Sequence, residues 1–146
     1  MYALIGKDDL SDVRSCLKDP EGLESDIMSA ISDIQKGYMS TIVKGVQELG
    51  AVMRELPKDL ATCDSIKDDV DALSKWADKF YYPVTLSGKV SANLTTNWMT
   101  ASSLAVDMAT YYMNGDYYQS GKAVGELTVI AVGKVEKTSA NTLYLF

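Results

Sequence analysis

Residues 60–80 read LATCDSIKDDVDALSKWADKF. Leu60, Cys63, Ile66, Val70, Leu73, Ala77 and Phe80 recur at three- and four-residue spacing, and Asp64, Asp68, Asp69 and Asp71 fall among them. A helix with 3.6 residues per turn gathers such a set into one stripe and turns the opposite face to water. The stretch predicts one continuous helix, and the same period runs through most of the chain.

Upstream, Ile42, Val46, Leu49 and Met53 carry the period on a segment that Pro57 closes. Ile27, Ile31 and Ile34 mark a helix from about Leu23, with Gly37 where a C-terminal cap belongs. The two segments read either as separate helices or as one helix kinked at a glycine. Before them, Asp8 caps a helix bearing Leu10, Val13 and Leu17, which Asp19, Pro20 and Gly22 end.

Downstream, Tyr81, Tyr82 and Pro83 interrupt the pattern, because the residue before a proline is pushed out of helical geometry. Leu86, Val90, Leu94, Trp98, Ala101, Ala105, Met108 and Tyr112 then predict one extended helix, stopped by Asn114 and Gly115. Tyr118, Val124, Leu127 and Ala131 define a last helix that ends at Gly133. From Lys134 the period is lost, and the tail closes on β-favouring Thr142, Leu143, Tyr144, Leu145 and Phe146. The expected fold is all-α: a bundle of five or six helices with an extended tail over residues 134–146, all in one domain.

An internal repeat fits this order. At an offset of 78 residues, Gly37, Lys44, Val46, Glu48 and Leu49 fall on Gly115, Lys122, Val124, Glu126 and Leu127 without a gap. Asp33 meets Asp107 only if about one extra helical turn is inserted. Chance similarity of two amphipathic helices and duplication of a helical hairpin both account for the match.

Charge separates the two halves. Residues 1–79 hold 16 acids and 10 bases, whereas residues 80–146 hold 4 of each and are rich in Ser, Thr, Gly and Tyr. A net charge of -6 opposes binding to a phosphate backbone, which needs clustered Lys and Arg. The chain has no histidine, and so lacks the commonest general base near neutral pH and the usual zinc ligand. No run approaches the roughly 18 apolar residues that span a bilayer. Met1 to Ile5 is too short for the apolar core of a leader, so a secreted chain is expected here with its leader already removed.

The two cysteines, Cys16 and Cys63, both lie in apolar stripes. Each fits a plain buried thiol, and together they fit a disulfide. An even count at facing helix positions favours the bond, worth about 4 kcal/mol on the chain-entropy model for this loop. Asn93, Leu94 and Thr95 form the chain's one N-glycosylation triplet, and a glycan at Asn93 is expected if the protein is secreted. Cysteine pair and triplet together point to an oxidising, extracellular compartment.

Cys16 near the start, the Asp33 to Gly37 helix ending, Cys63 after Pro57 and a second half ending in Gly115 to Leu127 resemble a set of small secreted, two-cysteine helical proteins of single-celled eukaryotes. No activity is known for that set. The resemblance implies compartment and fold and transfers no site.

Catalytic chemistry finds little footing. Without His, a Ser or Cys nucleophile needs another base, and the GxSxG turn is absent. Asp64, Asp68, Asp69 and Asp71 lack the glycine and closing glutamate of a calcium loop and read as a solvated face. Gly121 and Gly125 have GxxxG spacing, which suits close helix packing. No catalytic residue, cofactor or metal is expected, and the protein is read as a non-enzyme.

Six of the nine tyrosines come as neighbours: Tyr81 with Tyr82, Tyr111 with Tyr112, Tyr117 with Tyr118. Adjacent helical residues point about 100° apart, so one of each pair is expected in the core and the other at the surface. Two functions remain. The first is a structural subunit that self-associates, into a filament or another homo-oligomer, through apolar terminal contacts at Tyr2, Leu4, Ile5, Leu143, Tyr144, Leu145 and Phe146. The second is a carrier of a small apolar ligand, with Met28, Met39, Met53, Met99, Met108 and Met113 lining a cavity.

Overall fold

The structure, a computed structural model, describes residues 15–18 and 20–136. Among these are six α-helices with both ends defined: α1 (Pro20–Ile34), α2 (Met39–Asp59), α3 (Lys67–Ala77), α4 (Pro83–Thr96), α5 (Trp98–Met113) and α6 (Tyr117–Val132). Ser15 and Cys16 are helical as well, and the described residues include no strand. The all-α expectation holds. Asp8, Leu10 and Val13 of the first expected helix lie outside the described residues, as does the tail beyond Glu136.

Two antiparallel hairpins organise the bundle, α1 with α2 and α5 with α6. α3 and α4 pack against α2, and α4 also packs against α6 and so joins the hairpins. One set of buried side chains runs from Ala30 to Val135. The glycines that turn the hairpins, Gly37 and Gly115, have φ of 75° and 77°, a region that costs a side-chain-bearing residue about 1 to 2 kcal/mol. After α5 the turn is a full Schellman motif: Gly115 N donates to Tyr112 O and Asp116 N to Tyr111 O. Asp116 then caps α6 by accepting from Gln119 N at 3.1 Å.

The 78-residue offset therefore superposes two structural units of one kind. Val46 and Val124, and Leu49 and Leu127, are all buried at matching places in their hairpins. Asp33 and Asp107 do not correspond, since Asp33 is buried and Asp107 exposed.

Several boundaries differ from the sequence expectation, each for a local reason. α1 begins at Pro20 rather than Leu23, because a proline's fixed φ and missing N–H suit the first helical turn. Pro57 does not close α2, which runs on to Asp59; in the last turn the proline costs one missing backbone bond and the helix continues past it. The stripe of residues 60–80 is buried throughout, yet its backbone is not one helix. Short 3₁₀ turns at Asp64–Ile66 and Asp78–Tyr81 flank α3 and bend the stripe around the core.

The expected extended helix from Leu86 to Met113 is two helices, broken at Asn97 (φ -114°, ψ 29°). Thr95 and Thr96 hydroxyls and the Asn97 amide bond the carbonyls of Ser91, Ala92 and Asn93, four residues back, so three consecutive side chains compete for the helix backbone at the break.

Two glycines set how closely α2 is approached. A Cβ on Gly45 would lie 2.8 Å from the Ala30 carbonyl oxygen, and one on Gly50 would lie 2.6 Å from Cδ1 of Phe80. Arg54 fastens the same Phe80 turn: its Nη1 donates to Phe80 O at 3.0 Å, and its guanidinium lies 5.5 Å from the centre of the Tyr81 ring. Gly121 differs. A Cβ there would meet nothing within 4 Å, so the expected close packing at the GxxxG spacing is absent at this glycine.

Candidate functional site

The paired polar side chains of the bundle hold it together, while Glu48 Oε2 is buried with no hydrogen-bond partner among the described residues. Asp33, on the last turn of α1, is buried and accepts from the ammonium groups of Lys36 and Lys44. Lys44 also reaches Glu48 Oε1 at 3.2 Å, so the cluster fastens α1 to α2. The bonds from Lys36 and then Lys44 hold the Asp33 carboxyl down to about 2. Asp33, in turn, and then Glu48, raise the pKa of Lys44. A carboxylate paired this way is a weak base, which suits a structural tie and not proton transfer. The sequence marks Asp33 only as part of a helix ending; its burial follows from its position beside Ile34 on the face that meets α2.

Elsewhere in the bundle, side chains close the carboxyl end of α6. Asn93 Nδ2 donates to Ala131 O and Trp76 Nε1 to Gly133 O, both at 2.9 Å. Carbonyls in the last turn lack partners within their own helix, so α3 and α4 supply them. Asn93 is therefore half-buried and engaged with α6, where an outward-facing residue was expected. Nearby, burial and then Lys89 push the Lys79 ammonium below its ordinary pKa.

Cys16 and Cys63 lie in disulfide geometry, with Cα atoms 5.6 Å apart. Beside Cys63 is a small open cleft lined by Pro57, Leu60, Lys67, Val70, Asp71 and Ser74. None of the methionines borders it. Met53 and Met108 fill the core, while Met28, Met99 and Met113 face solvent, so the methionines do not converge on one cavity.

Of the acidic cluster, Asp64, Asp68 and Asp71 are exposed as expected, but Asp69 is buried and not part of a solvated face. Among the described residues no group of three or more His, Cys, Asp or Glu side chains could hold a metal ion. Ser15 and Lys18 have the SxxK spacing of some serine nucleophiles. Both are exposed at the surface and are not drawn into a cleft that could hold a substrate.

What remains is a surface. Tyr81 and Tyr82 are both exposed, and so are Tyr117 and Tyr118. The rule of one inward tyrosine per pair fails at these positions because each pair sits at a helix end, where the core is already closed by Phe80 or by the α5–α6 turn. Tyr118, expected on the inner stripe of α6, faces outward for the same reason. Tyr112 alone packs against the core, and its ring meets Tyr117 edge-on at 5.3 Å. Met99, Val106 and Met113 add exposed apolar area along α5. Aromatic and methionine side chains over a nearly uncharged half have the composition of a contact surface.

Residues 6–132 match the family model described as SctB-like, Secreted protein B-like. The chain belongs to this family. No curated protein and no solved structure matches it. Membership of the SctB-like family and a disulfide-capable cysteine pair agree on an extracellular location. No helix among the described residues is long and apolar enough to cross a membrane. The terminal residues expected to make assembly contacts, Tyr2, Leu4, Ile5 and Leu143 to Phe146, lie outside the described residues.

Proposed function

We propose that this SctB-like protein is a non-enzymatic, extracellular structural subunit that associates with copies of itself. The observation that carries the reading is the surface of the second half. Met99, Val106, Met113, Tyr117 and Tyr118 stand exposed on two helices that together carry only three charges, Asp107, Lys122 and Glu126. Large apolar groups left in water gain roughly 1.5 to 3 kcal/mol each when a partner covers them fully. In a secreted protein whose polar clusters act as structural ties, another copy is the partner available at matching concentration.

The apolar terminal segments supply further contacts. Unlike surfaces on one molecule repeat head to tail and generate a ring or an open filament. Deleting residues 141–146 tests this: the truncated chain is expected to keep its helical circular dichroism and to form smaller assemblies than the full chain in size-exclusion chromatography. Assembly unchanged by the deletion would overturn the role of the tail, and an intact protein that stays monomeric would overturn the function.

A further inference from the structure

Met99, Val106 and Met113 stand on α5 at seven-residue intervals and are 86, 64 and 76 % exposed. Seven residues make almost two full turns, so the three project from one side of the helix with little drift. Ser103 and Thr110, also exposed, fall between them on the same side. The opposite side, with Ala101, Ala105 and Met108, is buried in the hairpin with α6. α5 thus has a second, narrower apolar seam that nothing in the chain's described residues covers.

We infer that this seam pairs with the same seam of a second copy, antiparallel, about a twofold axis at Val106. The inference rests on the self-association proposed above and names its surface. Charge favours a second copy. Two chains of net charge -6 repel, but the acidic surplus lies in residues 1–79, and the seam itself carries no charge. Asp107, the one charge on α5, is turned about 100° from Val106. Symmetry favours it too. A twofold contact must be self-complementary, and Met99 and Met113 are equidistant from Val106, so each meets the other across the axis while Val106 meets its counterpart.

A lipid surface fits less well, because the helix has none of the Lys and Arg that flank the apolar face of an interfacial helix. From Met99 to Met113 the seam is about 21 Å long, nearly the whole of the 16-residue helix. One helix face of that length buries less than the roughly 1,200 Å² of a stable standard interface, so the pair is reversible on its own. A twofold contact also closes on itself. Growth beyond a dimer then needs a second, unlike contact, the role proposed for the terminal segments.

Sedimentation velocity of the full chain over a range of concentrations tests the seam. Val106→Glu is compared with Val84→Glu, since Val84 on α4 is 88 % exposed and lies off the seam. Val106→Glu is expected to weaken association about tenfold or more, and Val84→Glu to change it by less than about twofold. Mild oxidation should cross-link Val106→Cys into a covalent dimer and leave Val84→Cys monomeric. Equal association of Val106→Glu and wild type would overturn the seam while leaving self-association standing. A wild-type chain that is monomeric throughout would overturn both. Monomeric protein that pellets with phosphatidylserine vesicles, and ceases to on Val106→Glu, would assign the seam to lipid and overturn the inference.

Discussion

Protonating Asp33 takes an acceptor away from two ammonium groups at once. Its pKa stands at about 2 in the folded chain, against an ordinary 3.8, chiefly through the bonds from Lys36 and Lys44. A depressed carboxylate pKa means that the unfolded chain binds the proton more readily. The stability it contributes is therefore fully present above pH of about 4 and is lost as pH falls through about 2. Asp33→Asn should melt below wild type at pH 5, and the gap should narrow steadily as pH falls from about 4 towards 2; a gap independent of pH would show that the carboxylate's charge contributes nothing. At the carboxyl end of α6, Asn93→Ala leaves the Ala131 carbonyl without its donor and should cost about 1 kcal/mol in a denaturant titration. A glycan would replace one amide hydrogen of Asn93 and leave the other for Ala131. The mass of the peptide containing Asn93, from secreted material, decides whether this half-buried site is modified.

Helices meet through what their glycines permit, and two positions separate the contributions. Gly45→Ala gains up to about 1 kcal/mol of helix propensity but drives a methyl to 2.8 Å from the Ala30 backbone oxygen. Overpacking of that kind costs about 1 to 3 kcal/mol, so the variant should be destabilised. Gly121→Ala meets open space on an exposed face of α6 and should be stabilised by about 0.5 to 1 kcal/mol. Thermal melts of the two variants should move in opposite directions.

The same scale shows what the sequence could reveal. Periodicity located the inner stripes, because burial from Leu60 to Phe80 depends on spacing alone. It missed the breaks at Asp64–Ile66 and Asn97, since a stripe can pass through a 3₁₀ turn or a one-residue interruption without losing phase. Gly37 and Gly115 were legible as turns because only glycine takes that backbone region without strain. The exposed seam on α5 was legible only in part: periodicity put Ala101, Ala105 and Met108 on the inner stripe, but Met99 and Met113 read as the lining of a cavity, and the packing of α5 on α6 leaves them outside.

For the whole molecule, the cysteines join the segment before α1 to the turn before α3. Their sequence separation is 47, and a bond closing that loop stabilises by about 4 kcal/mol on the chain-entropy model. Protein recovered from the medium should lack free thiols before reduction, and Cys63→Ser should unfold at markedly lower denaturant than wild type. A fold held together at α2, α4 and the two hairpin turns leaves the outer face of α5, together with exposed Tyr82 and Tyr118, without a structural task, which is why self-association is the central claim. Sedimentation velocity of the intact secreted protein, run over a wide concentration range, tests that claim most directly. The account predicts a weight-average mass that rises above the monomer as concentration increases; a single monomeric species at every concentration would contradict it.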